Sequence, residues 1–261
     1  MKICIIGAGN MGGALALGLI NAGRLEPSDI TVTTRSESSL KRYTDRGLKG
    51  TTDNCAAVSG QDIVFIAVKP GSVAGVCGQI AGSLNPGKQI IVCIAAGIKP
   101  EEILDRLGQD TELVYVIPNT AVELGRSVSF ISAVHCCEKS VKTIELLMSK
   151  VGEARVVPLE LLDAGMALAS CGIAYALKYV VAAAQAGESL GFSSQDSLSI
   201  VAATVEGAAA LLRGTPGSPQ EQIRKVATPG GHTEKGMVRM DEAGFTNAVR
   251  AGLIPPETAQ K

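Results

Sequence analysis

Short apolar runs alternate with segments of helical spacing over the first part of the chain. The runs have the length of buried strands and cover residues 3–6, 30–34, 63–68, 89–94, 113–117, 128–131 and 155–157. The segments that separate them have helical patterns at 11–21, 37–46, 73–84, 100–107 and 138–150. Because apolar strands alternate with helices, the pattern predicts an α/β fold with a doubly wound, mainly parallel sheet.

The pattern changes at Pro158, and no strand is predicted beyond it. Helical patterns follow at 159–190, 194–212, 219–227 and 233–243. The first two are apolar over much of their circumference, and such a helix has to be buried on all sides. A domain of about 100 residues cannot cover them alone. We therefore predict two domains, 1–157 and 158–261, and expect the second, all-α domain to pack against another subunit.

Composition and charge exclude several classes of protein. The chain has 261 residues, 46% of them apolar, which is enough for a large core. Lys and Arg total 24 and Asp and Glu total 25, so no excess charge favours nucleic acid or a membrane surface. No uninterrupted apolar run reaches the roughly 18–20 residues of a membrane helix. We therefore predict neither a nucleic-acid partner nor a membrane partner.

The seven cysteines are spaced irregularly and form no CxxC pair. This usage is typical of small apolar residues in a reducing compartment, so we predict a cytoplasmic protein without disulfides. Cys136 and Cys137 follow His135, but this group lacks the second pair of ligands that a zinc site uses. No metal site is predicted.

A glycine-rich loop joins the first predicted strand to the first helix. Gly7-Ala8-Gly9-Asn10-Met11-Gly12 has the GxGxxG spacing of dinucleotide-binding loops, in the strand-to-helix context that this motif requires. The glycines permit the tight turn, the approach of a pyrophosphate and the packing of helix on strand, and the helix N-terminus offers N–H groups to phosphate. The predicted cofactor contacts are Gly7, Gly9, Asn10, Met11 and Gly12.

The end of the second strand indicates which dinucleotide binds. NAD-binding domains usually have an acidic residue there for the ribose 2′-hydroxyl. This chain instead has Thr34, Arg35 and Ser36. A charge-assisted hydrogen bond from Arg35 to a 2′-phosphate contributes about 1.5–3 kcal/mol. We therefore predict NADP (as NADPH) as the preferred cofactor, with NAD bound at lower preference.

Further motifs resemble those of the pyrroline-5-carboxylate reductase family, and the resemblance extends from the first strand to about Phe245. The motifs are Thr52-Asp53-Asn54, Ala67-Val68-Lys69-Pro70, Ala95-Ala96-Gly97, Pro118-Asn119-Thr120 and Pro229-Gly230-Gly231-His232-Thr233. The last, a PGGxT loop that opens a helix, is the most specific. The resemblance implies an N-terminal Rossmann domain followed by an all-α dimerisation domain of interlocking helices. It also implies a homodimer, and rings of dimers occur in the family.

The reaction that the resemblance implies is the last step of proline biosynthesis. NAD(P)H delivers hydride to the C=N carbon of 1-pyrroline-5-carboxylate, a cyclic imino acid, and the product is L-proline. The residues that the resemblance adds to the cofactor site are Asn54, Ala67, Val68, Lys69, Pro70, Ala95, Ala96, Gly97 and Asn119.

The substrate site follows from the chemistry of the imine. Backbone N–H groups of Gly230, Gly231 and His232 at a helix start are suited to hold the substrate carboxylate. Thr233 can direct its hydroxyl at the ring nitrogen. We predict Thr233 and Lys69 as catalytic residues and Asn119 as a further substrate contact, with catalysis by positioning and a polarising hydrogen bond.

Three departures from the family keep alternatives open. Residues 169–175 read ASCGIAY where the family has SGSGPAY, Ala121 replaces a proline, and His232 replaces a small residue. His232 is either a proton donor or an exposed loop residue. The alternatives are a reductase of another cyclic imine, a β-hydroxyacid-type dehydrogenase that uses Lys178, and a non-catalytic NADP-binding regulatory paralogue.

Overall fold

The computed structural model describes residues 1–23 and 25–254. Within them, eight strands form one sheet in the order β3-β2-β1-β4-β5-β6-β7-β8. They are β1 (Ile3–Ile6), β2 (Ile30–Thr33), β3 (Lys49–Thr51), β4 (Ile63–Ile66), β5 (Ile90–Cys93), β6 (Glu112–Ile117), β7 (Ser127–His135) and β8 (Gly152–Val156). Of these strands, neighbours pair in parallel except β6 and β7, which are antiparallel. The predicted doubly wound, mainly parallel sheet is confirmed.

Helices cover both faces of the sheet. They are α1 (Asn10–Asn21), α2 (Lys41–Thr44), α3 (Asn54–Val58), α4 (Pro70–Ile80), α5 (Pro100–Leu107) and α6 (Glu138–Met148). Ile3 and Ile5 pack in a cluster with α1 and α6, whereas Cys4 and Ile6 pack in a second cluster with α3, α4 and α5. Each fully buried aliphatic side chain contributes about 1.5–3 kcal/mol, so these two layers hold the sheet in place.

The strand order reverses between β1 and β4, because the chain continues from β1 to β2 on one side and returns to β4 on the other. In doubly wound sheets, ligands bind in the crevice beyond the carboxyl ends of the strands at this point. The loop from Gly7 to Gly12 follows β1, and residues 67–70 follow β4. The fold therefore places both predicted cofactor segments at the crevice.

The structure contains short elements that the sequence pattern does not predict. β3 has three residues, none of them a large apolar one, and pairs with β2 through its backbone. α3 has five residues and is capped by Asp53, whose carboxylate accepts from the N–H groups of Cys55 and Ala56. The helix predicted at 37–46 is a 3-10 turn at Glu37–Ser39 followed by α2.

The chain divides into two compact units, Met1–Ser170 and a second that begins at Cys171. The single helix predicted at 159–190 is wrong in its first part. A 3-10 turn (Leu159–Leu161), α7 (Leu162–Gly165) and a π-helical stretch (Met166–Cys171) precede α8 (Gly172–Ser189). The side-chain amide of Asn119 donates to the backbone carbonyl of Ala169 in this stretch, and Ser170 Oγ donates to the carbonyl of Pro118. The domain boundary at 157/158 stays a prediction.

The second unit is helical, as predicted. After α8 it contains α9 (Ser194–Gly214), α10 (Pro219–Val226), α11 (His232–Glu242) and α12 (Phe245–Leu253), the last of which the sequence pattern does not predict. Large apolar side chains are exposed along these helices, among them Leu177, Val181, Leu198 and Leu212. Pro255 and the residues after it lie outside the described residues.

Candidate functional site

The loop after β1 has a conformation that requires glycine. Gly7 has a φ of +91°, and a Cβ there would lie 2.7 Å from Val68 Cγ1. A Cβ at Gly12 would meet the carbonyl oxygen of Gly7 and would lie 2.8 Å from Ala67 Cβ. These two glycines therefore allow α1 to start against the carboxyl end of β4.

The same loop leaves space where a dinucleotide pyrophosphate binds. A Cβ at Gly9 would meet nothing within 4 Å. Gly9 is the N-cap of α1, no side chain caps that helix, and its first turn has no acidic residue. The N–H groups of the first turn, including those of Asn10 and Met11, can therefore bind a phosphate. The residues present fit a dinucleotide.

A group of hydroxyls follows β2. Thr34 Oγ1 donates to the carbonyl oxygen of Ser36 at 2.7 Å. Ser36 Oγ lies 3.2 Å from Ser38 Oγ and 3.0 Å from Ser39 Oγ. Arg35 is exposed and forms no ion pair within the part of the chain that the structure describes. A guanidinium beside several hydroxyls fits a 2′-phosphate. Sequence reasoning missed Ser38 and Ser39, although a serine-rich segment after Arg35 is a usable signal.

Segments after β3 and β4 lie at the same edge of the sheet. Asn54 begins α3, and its Nδ2 donates to Gln79 Oε1 at 2.9 Å. The N–H of Ala67 donates to the carbonyl oxygen of Ile6 at 2.8 Å, which places residues 67–70 beside the glycine loop. Lys69 is exposed at the N-cap of α4, and Pro70 is the first residue of that helix.

The segment after β5 lines a cavity of about 250 Å³. Ala95, Ala96 and Gly97 form one wall, and Tyr115 and Leu162 contribute to others. Tyr115 donates its hydroxyl to the carbonyl oxygen of Ile98 at 2.8 Å, and burial raises the pKa of this phenol. The predicted segment at 95–97 thus borders open space beside β6.

Asn119 is the N-cap of the 3-10 turn that follows β6, and it is only 4% exposed. Its Oδ1 accepts from the N–H of Ala121 at 3.1 Å, its Nδ2 donates to the carbonyl oxygen of Ala169 at 3.2 Å, and its own N–H donates to Ser127 Oγ at 3.2 Å. The protein itself uses both ends of this side chain. Its predicted contact with cofactor and substrate stays a prediction.

The PGGHT loop lies in the second unit, at the start of α11. Gly230 has a φ of +72°, and its N–H donates to Glu234 Oε2 at 2.6 Å. The N–H of Gly231 donates to the carbonyl oxygen of Thr228 at 2.9 Å. Of the three predicted amide donors, only the N–H of His232, at the start of α11, is therefore left for a ligand within the part of the chain that the structure describes. Thr233, the next residue, is exposed. Glu234 was missed by sequence reasoning, although a glutamate in the first turn of a helix is a known capping signal.

The structure groups the predicted cofactor residues by location. The segments at 7–12, 34–36, 67–70 and 95–97 follow the adjacent strands β1, β2, β4 and β5, so they share one edge of the sheet. Asn54 lies after β3 at the same edge. Residues Gly230–Thr233 belong to the second unit.

Comparison with known proteins agrees with these features. Residues 160–255 match the family described as pyrroline-5-carboxylate reductase dimerisation, and residues 2–97 match the family described as NADP oxidoreductase, coenzyme F420-dependent. The chain is 33% identical to a pyrroline-5-carboxylate reductase from Methanosarcina acetivorans, covering 100% of this chain and 98% of that protein. It is 33% identical to one from Aquifex aeolicus, covering 95% of this chain and 92% of that protein.

Solved structures are similar over nearly the whole chain. A pyrroline-5-carboxylate reductase from Coxiella burnetii superposes with a TM-score of 0.86 at 28% identity, covering 97% of this chain and 94% of that one. A structure from Streptococcus pyogenes gives 0.85 at 25% identity, with 97% and 95% covered. The fold and site together define a two-domain, dinucleotide-binding oxidoreductase. The chain belongs to the pyrroline-5-carboxylate reductase family, as its motifs predict.

Two helical stretches, Leu159–Ser189 and Ser194–Gly214, have the length and apolar composition of membrane-spanning helices. Both fall within or at the edge of the region that matches the dimerisation family. The sequence prediction of helices that pack against another subunit concerns these same stretches.

Proposed function

We propose that this protein reduces 1-pyrroline-5-carboxylate to L-proline, with NADPH as the preferred reductant. The observation that carries the proposal is the match, over nearly the whole chain, to relatives that bear the name of this enzyme. When bound, the nicotinamide cofactor supplies the hydride. The protein's own residues bind and orient the reactants and polarise the imine.

The cofactor would bind along the edge of the sheet in the first unit. The N–H groups at the start of α1 hold the pyrophosphate above Gly9, and Arg35 with the hydroxyls of Thr34 and Ser36 binds the 2′-phosphate. Asn54 contacts the adenosine. Residues 67–70, 95–97 and Asn119 lie along the remainder of the cofactor. The absence of an acidic residue at the end of β2 supports NADP over NAD, and the family matched by residues 2–97 is described by its use of NADP.

The substrate would be held by the PGGHT loop. Its carboxylate would accept a hydrogen bond from the backbone N–H of His232, where the positive end of the α11 dipole also favours a negative charge. The N–H groups of Gly230 and Gly231 would join it by exchanging their bonds to Glu234 and Thr228 for bonds to the substrate. Thr233 would donate a hydrogen bond from its hydroxyl to the ring nitrogen, which draws electrons from the C=N carbon and makes it a better hydride acceptor. The proton that the nitrogen gains would come from solvent through this hydroxyl. Lys69, which is exposed after the end of β4, would stabilise the electron density that builds up on the ring nitrogen as the imine is polarised. His232 lies at the helix start as a substrate contact.

The second unit would form the contact between the two subunits of a homodimer. Exposed apolar side chains on α8 and α9 form a surface whose burial against a second subunit is favourable. The family matched by this region is described as a dimerisation domain. Dimers would assemble further into rings, and the enzyme would act in the cytoplasm on a small soluble substrate.

The test is a spectrophotometric assay of purified protein with NADPH and pyrroline-5-carboxylate, followed as the loss of absorbance of the reduced nicotinamide. We expect turnover with NADPH to exceed that with NADH. Thr233→Ala should lower kcat about 100-fold, the size of effect typical of proton-donating groups. Thr246→Ala is the matched control, because Thr246 lies in the same unit and its hydroxyl donates to Asp241. NADPH binding without turnover of this imine would contradict the proposal and favour a regulatory paralogue.

A second candidate, reduction of a different cyclic imine, is favoured by one observation. The altered segment at 169–175 is bonded to the turn at Pro118 and Asn119, through Ala169 and Ser170. A change there would alter the surroundings of Asn119, a proposed substrate contact. Competition between the five-membered imine and a six-membered cyclic imino acid in the same assay distinguishes the two, since kcat/KM identifies the preferred ring size.

A further inference from the structure

A tyrosine outside the predicted site contacts the backbone of the glycine loop. Tyr43 on α2 is 1% exposed, and its hydroxyl donates to the carbonyl oxygen of Ala8 at 2.7 Å. The guanidinium of Arg42 lies 5.2 Å from the centroid of the Tyr43 ring and covers one face of it. The ring and its hydroxyl are therefore held in one position.

Gly13 provides the room for this hydrogen bond. A Cβ at Gly13 would meet the Tyr43 hydroxyl oxygen directly and would lie 3.2 Å from Cζ of the same ring. Gly13 follows the GxGxxG motif and is not part of it. A glycine inside a helix costs about 1 kcal/mol relative to alanine, so its presence here is explained by the close approach of the tyrosine.

With the bond from Tyr43, both backbone polar groups of Ala8, the residue between the first two glycines of the loop, have a hydrogen-bond partner. The N–H of Ala8 donates to the carbonyl oxygen of Thr33 at 2.7 Å, and the N–H of Gly7 donates to Thr33 Oγ1 at 3.2 Å. Ala8 thus has its N–H fixed by the end of β2 and its carbonyl fixed by α2. The conformation at Gly9, where a phosphate approaches, depends on both bonds.

Tyr43 also connects the two ends of the cofactor site. It lies on the short helix that follows the segment Thr34–Ser36. The N–H of Tyr43 donates to the carbonyl oxygen of Leu40 at 2.8 Å, and the preceding turn is bonded to Ser36, whose carbonyl oxygen accepts from the N–H of Ser39 at 3.2 Å. The segment that carries Arg35 is therefore attached to the loop that holds the pyrophosphate. Burial raises the pKa of the Tyr43 phenol, so the hydroxyl keeps its proton and remains a donor.

We propose that Tyr43 is a positioning residue for the dinucleotide, and that Gly13 is the small residue that makes this role sterically allowed. The tyrosine holds the glycine loop and the segment Thr34–Ser36 in the single arrangement that receives the pyrophosphate and the 2′-phosphate together. The proposal rests on the proposed function in one respect, that NADPH is the dinucleotide bound.

The test compares two variants that each delete a buried hydroxyl that donates to a backbone carbonyl. Tyr43→Phe removes the bond to Ala8. Thr111→Val removes the bond from Thr111 Oγ1 to the carbonyl oxygen of Leu107, 3.1 Å long, before β6 at the opposite edge of the sheet. NADPH dissociation constants are measured by titration calorimetry, and melting temperatures without nucleotide by calorimetric scanning.

We expect both variants to melt earlier than the unchanged protein. Tyr43→Phe alone should weaken NADPH binding, by about fivefold, the equivalent of one hydrogen bond. Equal NADPH affinity in Tyr43→Phe and the unchanged protein would overturn the proposal, because the hydroxyl would then serve stability alone.

A double-mutant cycle tests the role of Gly13 separately. Gly13→Ala should weaken NADPH binding because the new methyl group displaces the tyrosine hydroxyl. Combining it with Tyr43→Phe should weaken binding by less than the sum of the two single effects, because the hydroxyl that makes the closest collision is gone and only the ring carbon at 3.2 Å remains. Fully additive losses would contradict the steric link.

These outcomes are separable from the fate of the proposed function. If the unchanged protein binds NADPH without reducing the imine, the reductase proposal fails and the binding comparison still decides the role of Tyr43. If the unchanged protein binds neither NADPH nor NADH, both proposals fall.

Discussion

The side-chain amide of Asn119 donates from Nδ2 to the carbonyl oxygen of Ala169, and Ser170 Oγ returns a hydrogen bond to the carbonyl oxygen of Pro118 at 3.3 Å. Two segments that are 50 residues apart in sequence are therefore joined side by side. One is the turn after β6 and the other is the π-helical stretch before α8. Single-turn π-helices are frequent at functional sites, and here the end of the stretch overlaps the start of the segment 169–175, which departs from the family.

We expect Asn119→Ala to lower the free energy of unfolding by about 1–2 kcal/mol, because the N–H of Ala121 and the carbonyl of Ala169 both lose their partner in a half-buried place. Urea denaturation at a fixed protein concentration measures the change, since dimerisation makes the apparent stability depend on concentration. Ser170→Ala removes one longer bond and should cost less. Equal costs for the two substitutions would contradict this account of the junction.

Most of the sheet could be predicted from the sequence because its strands are locally distinctive. β1, β4 and β5 are uninterrupted apolar runs, and burial on both faces of a parallel sheet requires such runs. β3 could not be predicted in this way, since Lys49–Thr51 has no large apolar side chain and pairs through its backbone. The interruption of the long helix at 159–190 was also missed, because its cause includes bonds from Asn119 that no local pattern contains.

The candidate site also has residues that could be predicted from local sequence and residues that could not. The loop from Gly7 to Gly12 was predictable, since its conformational requirements are set by its own residues. Tyr43 was not, because it donates to the carbonyl of Ala8, a backbone group that the fold brings to it. Glu234 bonds to Gly230 in its own loop, so its capping signal was available in the sequence. Gly13 offered a usable signal, as an additional glycine inside a helix indicates close approach by another element.

Alkaline pH should destabilise the protein through its buried thiols. Burial raises the pKa of Cys4 and Cys93 to about 12 and that of Cys77 to about 11, from an ordinary value of 9.0. Above about pH 9 the unfolded chain loses these protons while the folded chain keeps them, so the free energy of unfolding falls as pH rises. Each thiol contributes up to about 1.4 kcal/mol per pH unit until the pH reaches its folded pKa.

Urea denaturation measures that slope between about pH 8 and pH 11, a range that starts below the pKa of the unfolded thiols and enters the region where only the folded chain keeps their protons. Cys93→Ala should make it shallower, whatever its cost at neutral pH. Cys137→Ser is the control, because Cys137 is exposed and its substitution should leave the slope as it is. A free energy of unfolding that stays constant above pH 9 would show that these thiols ionise equally in both states.

Arg35→Ala should change the choice of cofactor. The guanidinium is exposed beside the hydroxyls of Thr34 and Ser36, and its charge-assisted bond to a 2′-phosphate contributes about 1.5–3 kcal/mol. We expect kcat/KM for NADPH to fall about tenfold or more, with little change for NADH. Arg46→Ala is the matched control, because it removes the same charge from a nearby exposed position. An equal loss with both nucleotides would assign Arg35 to stability or to general attraction instead.

Gly9→Ala should separate cofactor binding from folding. Gly9 has a φ of −80° and a ψ of −149°, a negative φ that is open to alanine, and its Cβ would meet nothing within 4 Å. The free energy of unfolding should therefore fall by about 1 kcal/mol, the cost of holding alanine at this ψ, and not by the larger amount that a steric collision causes. NADPH binding should weaken more than about tenfold, because the methyl group occupies the space that the pyrophosphate needs.

Two further glycine substitutions serve as references for Gly9→Ala, one expected to destabilise the protein and one expected to stabilise it. Both are measured by the same urea denaturation and NADPH titration. Gly12→Ala should cost about 1–3 kcal/mol of stability, since its Cβ would meet the Gly7 carbonyl oxygen. Gly75→Ala, on an open face in the middle of α4, should stabilise the protein by about 0.4–1 kcal/mol and leave NADPH binding unchanged. If Gly9→Ala kept full NADPH affinity, the pyrophosphate could not lie against Gly9, and the cofactor would have to bind elsewhere along the edge of the sheet.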